Sequence, residues 1–440
     1  MHSTKGETQV STTKGETQVS NCSSGPKRRR LRGSLLAAVA MLSVGLAACG
    51  DDDDGAQAGG DSSGSEEQSG PYKIGSVLSV TGSLAPLNAE VKMGMDFALE
   101  QVNASGLLDH PMEIEFHDAQ SEEQEAVTLT NRLADGDSLA LIGYTGSSLA
   151  LAAKPIANRV GIPQIAIGVS DEITTPLEPY TFGITPAGRE TLKSVVQWLA
   201  NSDVSTVGVL YEDTAFAVPS LDGIRLGAEE FGVEIVAEEK FLPEDRDLSV
   251  PVSNVLAEDP EAIIGLVISE TGAAITRAMK EQGADDVQVV WNTGPINDDY
   301  IALVGADGDG QFGVSEGLPA IVDQLPEDDP RVERYSGIND AFNEASGQNI
   351  ALFSALGIDI VNVVAQAIDA LETEGTEVTR ETLREAIENL SSYQGVMGEY
   401  NFSAEQHRGI SGVTNIVQLR DGKWGLYVSA DEIREGVGTP

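Results

Sequence analysis

Apolar positions change their spacing again and again along the chain. Ile74 to Val80 reads as a buried strand, and Val91, Met95, Ala98, Leu99 and Val102 then fall at helical spacing, with Gly106 as a stop. Within Met112 to Phe116, Ile114 and Phe116 alternate onto one face. Ala126, Leu129 and Leu133 form the next helical stripe. Leu139 to Ile142 reads as a strand, Leu149 to Val160 as a helix, and Ile162 to Ile167 as a strand. Such alternation predicts βαβ units, hence a parallel sheet covered on both faces.

A stretch from Thr174 to Gly188, punctuated by Pro176, Pro179, Gly183 and Pro186, precedes a second run of the same kind. Leu192, Val195, Val196 and Leu199 make a helix face, Thr206 to Leu210 a strand, and Leu221, Ile224, Ala228 and Phe231 another helix face. Strands follow at Glu234 to Phe241, Ala262 to Ile268 and Val287 to Trp291. The fold class expected is α/β, with two Rossmann-like lobes. Helices around Arg331 to Ala345, Phe353 to Leu371 and Arg380 to Leu390 are expected to return to the first lobe. Gly409 to Val428, with the turn Arg420-Asp421-Gly422-Lys423, is expected to form a terminal hairpin. The expected division is lobe 1 over 72–187 and 319–400, and lobe 2 over 188–318 and 401–440. Ligands of open α/β sheets bind at the carboxyl ends of strands, which two lobes can turn toward one cleft.

The amino terminus differs from the rest. TKGETQVS occurs at Thr4 to Ser11 and again at Thr13 to Ser20, a polar leader too short for a repeat architecture. Lys27 to Arg32 (KRRRLR), an apolar run from Leu35 to Leu46, and Leu46-Ala47-Ala48-Cys49 then form a secretory signal. The apolar run is too short to span a bilayer comfortably. Leu-Ala-Ala-Cys resembles the bacterial lipobox, which implies cleavage after residue 48 and lipid modification of Cys49. The arginines of Arg28 to Arg30 leave Sec and twin-arginine export both open. Residues 49–71, rich in Gly, Ser and Asp, read as a flexible acidic tether, with Asp51 to Asp54 a solvated charge run.

Hydrophobic residues make up 41% of the 440, enough for a sizeable core. Against 27 basic residues stand 70 acidic ones, a formal net charge of −43. Loss of residues 1–48 would leave 20 basic and 68 acidic residues. That balance opposes nucleic acid and anionic lipid as partners of the folded part, because phosphate is met by Lys and Arg clusters. It favours solubility, and high salt screens the self-repulsion. The only cysteines are Cys22 and Cys49, so no disulfide pair survives processing.

Candidate chemistry is sparse. His2, His110, His117 and His407 show no metal-ligand spacing, and neither metal nor cofactor is expected. Gly313-Val314-Ser315-Glu316-Gly317 satisfies the nucleophile-elbow pattern, but Pro319 follows at once and no helix opens at Ser315. Gly308 to Gly313 satisfies G-x-G-x-x-G without the helix that would receive a pyrophosphate, so an Asp/Gly-rich surface loop is expected there. Asp307 and Asp309 lack the glutamate that completes a calcium loop. Gly146-Ser147-Ser148 is different. It follows a strand and opens a helix, so hydroxyls and unpaired N–H groups favour an anion, worth about 0.3–1 kcal/mol when exposed and up to about 2 when partly buried. No lysine stands beside it for a phosphate. A carboxylate or neutral polar head, or an ordinary N-cap serine, fits these residues. The next strand also ends in a small polar loop, Gly168-Val169-Ser170, at the same sheet edge.

With those residues in view, Tyr72 to about Tyr427 resembles the branched-chain amino acid family of extracellular solute-binding proteins, which have the type I periplasmic-binding fold and serve ABC importers. The resemblance rests on YKIGSVLSVTGSLAPLNAEVKMGMDFALEQVNASG, the Asp118-Ala119 strand end, LIGYTGSS, GIPQIAIGVSDEIT and the closing NFSAEQHRGISG. It implies that Ser147, with neighbouring Ser148, grips a ligand carboxylate together with Gly168, Val169 and Ser170. The loop from Thr81 to Asn88 would close one side, with Leu87 where relatives often carry an aromatic. From the second lobe, Phe216 stands where a tyrosine commonly packs on the ligand, Ser269 and Glu270 end one strand, and Asn292 to Gly294 another. Amino acid binders often place a carboxylate at the position held here by Gly294. Glu270 would substitute from next door, or the ligand lacks an ammonium group. Well-studied members also carry a disulfide whose positions fall on Gln120 and Gly146. The implied function is a monomeric, lipid-anchored, extracytoplasmic receptor without catalytic activity. It would take up an amino acid, amide, urea-like molecule or small carboxylate and pass it to an ABC permease. A secreted hydrolase using Ser315 and a sensory ligand-binding module are the alternatives.

Overall fold

The computed structural model describes residues 70–284 and 286–438. The expected leader, Cys49 and all of the tether before residue 70 lie outside the described residues. The described chain begins with β1 (Tyr72–Leu78), α1 (Ala85–Ser105), β2 (Met112–Asp118), α2 (Glu123–Asp135), β3 (Ala140–Gly143), α3 (Ser147–Val160), β4 (Gln164–Ala166) and β5 (Thr181–Gly183). These strands form one parallel sheet in the order β2-β1-β3-β4-β5. The second lobe follows: α4 (Gly188–Asn201), β6 (Thr206–Glu212), α5 (Ala217–Phe231), β7 (Glu234–Phe241), α6 (Ser249–Leu256), β8 (Ala262–Leu266), α7 (Ser269–Glu281), β9 (Gln288–Trp291), α8 (Asp298–Val304) and β10 (Phe312–Glu316). Helices α9 (Pro330–Ser346), α10 (Leu352–Glu374) and α11 (Arg380–Glu388) and the short pair β11 (Tyr393–Gln394) and β12 (Glu399–Tyr400) return to the first lobe. The chain closes with β13 (Thr414–Arg420), β14 (Lys423–Val428) and α12 (Ala430–Arg434). The second sheet runs β14-β13-β10-β9-β8-β6-β7, with β13 antiparallel to both β10 and β14.

Two-residue periodicity decides which core each strand residue enters. Ile74 and Leu78 of β1 pack with α1 and α10, whereas Val77 packs on the other face with Leu129, Leu133 and Leu149 of α2 and α3. In β8, Ile264 and Leu266 join the core under α4 and α5, and Ile263 the core under α7. Helix α10 is apolar around most of its circumference because it is buried: Leu356, Ile360, Val363, Val364 and Ile368 are all at most 2% exposed. Burial of each such side chain stabilises by about 1.5–3 kcal/mol. It crosses α1 at backbone contact distance. A Cβ on Gly94 would lie 2.0 Å from the Ser354 carbonyl oxygen, and one on Gly357 would lie 2.1 Å from that of Val91.

Among the described residues, three segments cross between the lobes: 184–187 after β5, Gly317 after β10, and 410–413 before β13. The last lies later than the boundary expected at 401. Phe402 and Ile410 belong to the first-lobe core, Phe402 meets Phe182 edge-on at 6.0 Å, and the Gly409 N–H donates to the Gly183 carbonyl. Aromatic burial and edge pairing beside β5 therefore keep 401–409 with the first lobe. β5 and β10 are further additions to the expected elements. The G-x-S-x-G residues make up most of β10 and the turn after it, with Ser315 opposite Asn415 of β13, and Phe312 and Gly313 at the end of the expected Asp/Gly-rich loop already belong to that strand.

Candidate functional site

The carboxyl ends of β3 and β4 in one lobe face those of β8 and β9 in the other, across a cavity of about 90 Å³. From the first lobe it is lined by Leu84 and Leu87 at the start of α1, by Thr145, Gly146 and Ser147 after β3, and by Ile167 and Val169 after β4. Leu352, Phe353 and Leu356 of α10 add an apolar wall. The second lobe contributes Phe216 before α5, Val267 and Ile268 after β8, and Asn292, Thr293 and Gly294 after β9. Thr185 and Glu316 stand at two of the crossings. Larger concavities exist, such as one of about 380 Å³ beside Met279, Lys280 and Gln311, but that one lies wholly within the second lobe. The interlobe cavity joins strand ends of both sheets, the place where open α/β folds present ligand-binding groups.

Ser147 opens α3, and no side chain caps that helix's first turn. Its N–H groups and positive dipole end therefore remain directed at the cavity. The Ser147 hydroxyl is 4% exposed and accepts a hydrogen bond from the Ser170 N–H at 3.1 Å, which leaves its own proton to donate. A Cβ on Gly168 would come within 3.0 Å of the Ser147 Cα, so only glycine lets the two loops approach this closely. Asn292 turns its Oδ1 to the Val267 N–H at 2.8 Å, tying the ends of β8 and β9 together.

Leu87, Ser147, Val169, Phe216, Asn292 and Gly294 of the expected set come together around the cavity. The others support it or stand apart. Asn88 is buried behind it, donating to the Leu84 carbonyl and accepting from Thr145. Ser148, the next residue of α3, is not part of the lining. Gly168 is the contact surface under Ser147, and the Ser170 hydroxyl accepts from the Glu172 N–H. Ser269 is engaged with Asn297. Glu270 is exposed and pairs with Arg246 at 3.2 Å, since the first turn of α7 directs it to solvent.

Two charged residues went unrecognised in the sequence. Glu316 ends β10, is 2% exposed, and accepts from the Thr191 hydroxyl at 2.9 Å through Oε1. Burial raises its pKa to about 7, against the opposing effects of the Thr191 bond and the Arg408 charge. Arg408 is 8% exposed and donates to the carbonyls of Ser170 (2.7 Å), Thr185 (2.8 Å) and Pro186 (3.3 Å). Burial lowers its pKa to about 10, so it remains cationic at neutral pH. Its partners join the cavity-lining loop after β4 to the first crossing. An acid closing a strand was the available signal for Glu316; Arg408 offered none beyond its place in the closing segment.

Ser315 is buried in β10, and among the described residues no hydrogen bond joins it to a histidine. His407 instead meets the Thr181 carbonyl and Glu388, and stacks on Phe182 at 4.3 Å. No group of three or more metal-ligating side chains occurs among the described residues.

A family model described as periplasmic binding protein matches residues 71–423. Leu/Ile/Val-binding protein homolog 8 of Brucella abortus (strain 2308) is 22% identical over 233 residues, which cover 50% of this chain and 58% of that protein. Homolog 7 of the same strain is 23% identical over 212 residues, covering 46% and 53%. The chain thus spans a little over half the length of these curated relatives. Among solved structures, the leucine binding protein LivK of Thermotoga maritima MSB8 aligns with a TM-score of 0.73 at 21% identity, over 81% of this chain and 98% of that one. LivJ of Streptococcus pneumoniae, in complex with isoleucine, aligns with a TM-score of 0.71 at 21% identity, over 81% and 99%. An extracellular ligand-binding receptor of Rhodopseudomonas palustris HaA2 gives 0.75 at 19% identity, over 81% and 99%. At such identities the likeness is one of fold.

Proposed function

The chain belongs to the periplasmic binding protein family, and from that membership we propose that it captures a small carboxylate-bearing solute with an apolar tail in the interlobe cleft and delivers it to an ABC importer. The observation that carries this reading is the cavity itself, with Ser147 and the uncapped start of α3 on one side and Phe216, Asn292 and Gly294 on the other. A carboxylate at Ser147 would accept the hydroxyl proton and the first-turn N–H groups. The tail would lie against Leu87, Phe353, Leu356 and Phe216. A volume near 90 Å³ suits a solute of few heavy atoms, well below the roughly 300–1,000 Å³ of drug-sized sites. Relatives named for leucine, isoleucine and valine point the same way. The lobes close because the solute touches both and so favours the closed arrangement. Cys49, in its Leu-Ala-Ala-Cys setting, anchors the receptor outside the cell membrane through a lipid, and residues 50–70 tether it.

Thermal-shift screening of L-leucine, L-isoleucine, L-valine, small amides, urea and short carboxylates tests this. At a hundred times Kd a true ligand adds about 2.7 kcal/mol and raises the melting temperature dose-dependently. Micromolar binding corresponds to about 8 kcal/mol. A screen in which no carboxylate-bearing solute shifts the transition, or in which the solute is recovered as a product, contradicts the proposal.

A further inference from the structure

We infer that Arg408 is a positioning residue for solute capture: its buried guanidinium fixes the loop after β4 against the first crossing, so that the Ser147 end of the cleft stands in its binding arrangement before any solute arrives. This rests on the reading that the cleft holds the solute. Arg408 lies just ahead of the third crossing and is 8% exposed. Among the described residues, every hydrogen bond it makes goes to a neutral oxygen. Nη2 donates to the Ser170 carbonyl at 2.7 Å. Nη1 donates to the carbonyls of Thr185 (2.8 Å) and Pro186 (3.3 Å) and to the Thr185 hydroxyl (3.1 Å). Nε reaches the Thr174 hydroxyl at 3.4 Å. An arginine kept for its charge alone would face a carboxylate, whereas this one spends a planar fork of donors on separate stretches of backbone. The guanidinium also lies against β5, where a Cβ on Gly183 would come within 3.2 Å of its Cζ.

Each stretch that Arg408 holds leads to the cleft. Ser170, held by its carbonyl, gives its N–H to the Ser147 hydroxyl at 3.1 Å. The Thr185 hydroxyl accepts from Arg408 and donates to the Gly168 carbonyl at 3.1 Å. Val169, between Gly168 and Ser170, lines the cavity, and its carbonyl accepts from the N–H of Gly188, the first residue of α4, at 2.8 Å. The Asp171 carboxylate accepts from the Arg189 N–H at 3.1 Å. The loop is thus held by Arg408 on one side and by the first helix of the second lobe on the other. Without the clamp, buried carbonyls of Ser170, Thr185 and Pro186 lose their donor, and the loop relaxes away from it. A loop that is binding-competent in only a fraction of molecules lowers the apparent affinity by that fraction, so competence in one molecule of ten costs roughly tenfold. Lysine carries its donors at a single point and does not span the three carbonyls at once.

Arg408→Lys in the full-length protein tests the inference, by titration calorimetry with L-leucine, L-isoleucine, L-valine and butanoate as probes and by amide hydrogen exchange with and without them. The variant should bind the best of these probes roughly tenfold more weakly than the wild type. Without solute, residues 167–173 and 184–190 should exchange about tenfold faster than in the wild type, while β8 and α10 keep their wild-type rates. Saturating solute should remove the difference. An affinity within about twofold of the wild type, or an acceleration spread equally over β8 and α10, overturns the positioning role and leaves the cleft reading standing. Should Arg408→Lys fold poorly, the wild type alone decides: residues 167–173 should be protected before solute is added, and protection that appears only with solute overturns the inference. A wild type that binds none of the probes counts against the cleft reading, whereas the solute-free exchange still judges whether Arg408 fixes the loop.

Discussion

Replacing Ser147 by alanine removes a single oxygen but two hydrogen bonds. One is visible in the free protein: the Ser170 N–H donates to the Ser147 hydroxyl at 3.1 Å, and Ser170 is fully buried. Without that acceptor the N–H has no partner, a loss of about 1–3 kcal/mol in stability. The other is the bond from the hydroxyl proton to the solute's carboxylate, worth about 1.5–3 kcal/mol because the acceptor is charged. That converts to a roughly 10- to 150-fold loss of affinity. The two effects separate experimentally. Urea melts of the unliganded protein report the first, and titration calorimetry with the best solute from the screen, well below the melting range, reports the second. Ser148→Ala is the control: it belongs to the same first turn of α3 but does not line the cavity, so affinity should stay within about twofold. If Ser147→Ala binds as tightly as wild type, or Ser148→Ala loses as much, the serine end of the cleft has been assigned to the wrong residue.

Arg408→Met should cost stability on the order of 3 kcal/mol, because three buried carbonyls lose a charged donor; a change below about 1 kcal/mol in urea melts would show that the crossings do not depend on it. Gly357→Ala should destabilise by roughly 1–3 kcal/mol, since its Cβ would lie 2.1 Å from the Val91 carbonyl oxygen. Its solute affinity should be unchanged, and an affinity loss in the folded variant would reveal that the α1–α10 contact shapes the cleft.

Fold class followed from periodicity alone wherever a strand or helix was long and apolar. β1, β6 and α10 present their cores in alternate or nearly continuous apolar positions, and no competing pattern overlays them. β5 was hidden because it has three residues among prolines and glycines. β10 was hidden because Gly313, Ser315 and Glu316 mimic a catalytic turn, although the strand is held by β9 and β13 on either side. That is also why Glu316 escaped notice. Its significance comes from burial at a crossing, which only the assembled lobes create. Ser147 drew notice because it follows a strand and opens a helix, whereas Phe216 and Asn292 came from the family resemblance, and all three line the cavity. Whether a neighbouring polar residue such as Ser269 or Glu270 turns inward depends on one helical turn of phase, and the sequence leaves that phase open.

The central claim is that one solute is held between the two lobes at the mouth of β3 and β4. A crystal structure of the protein with the solute that most raises its melting temperature tests it most directly. The account predicts the solute carboxylate within hydrogen-bonding distance of the Ser147 hydroxyl and the first turn of α3, with Phe216 and Asn292 on its far side. Electron density for an intact solute in the concavity beside Met279, Lys280 and Gln311, with the interlobe cavity holding only water, would contradict it.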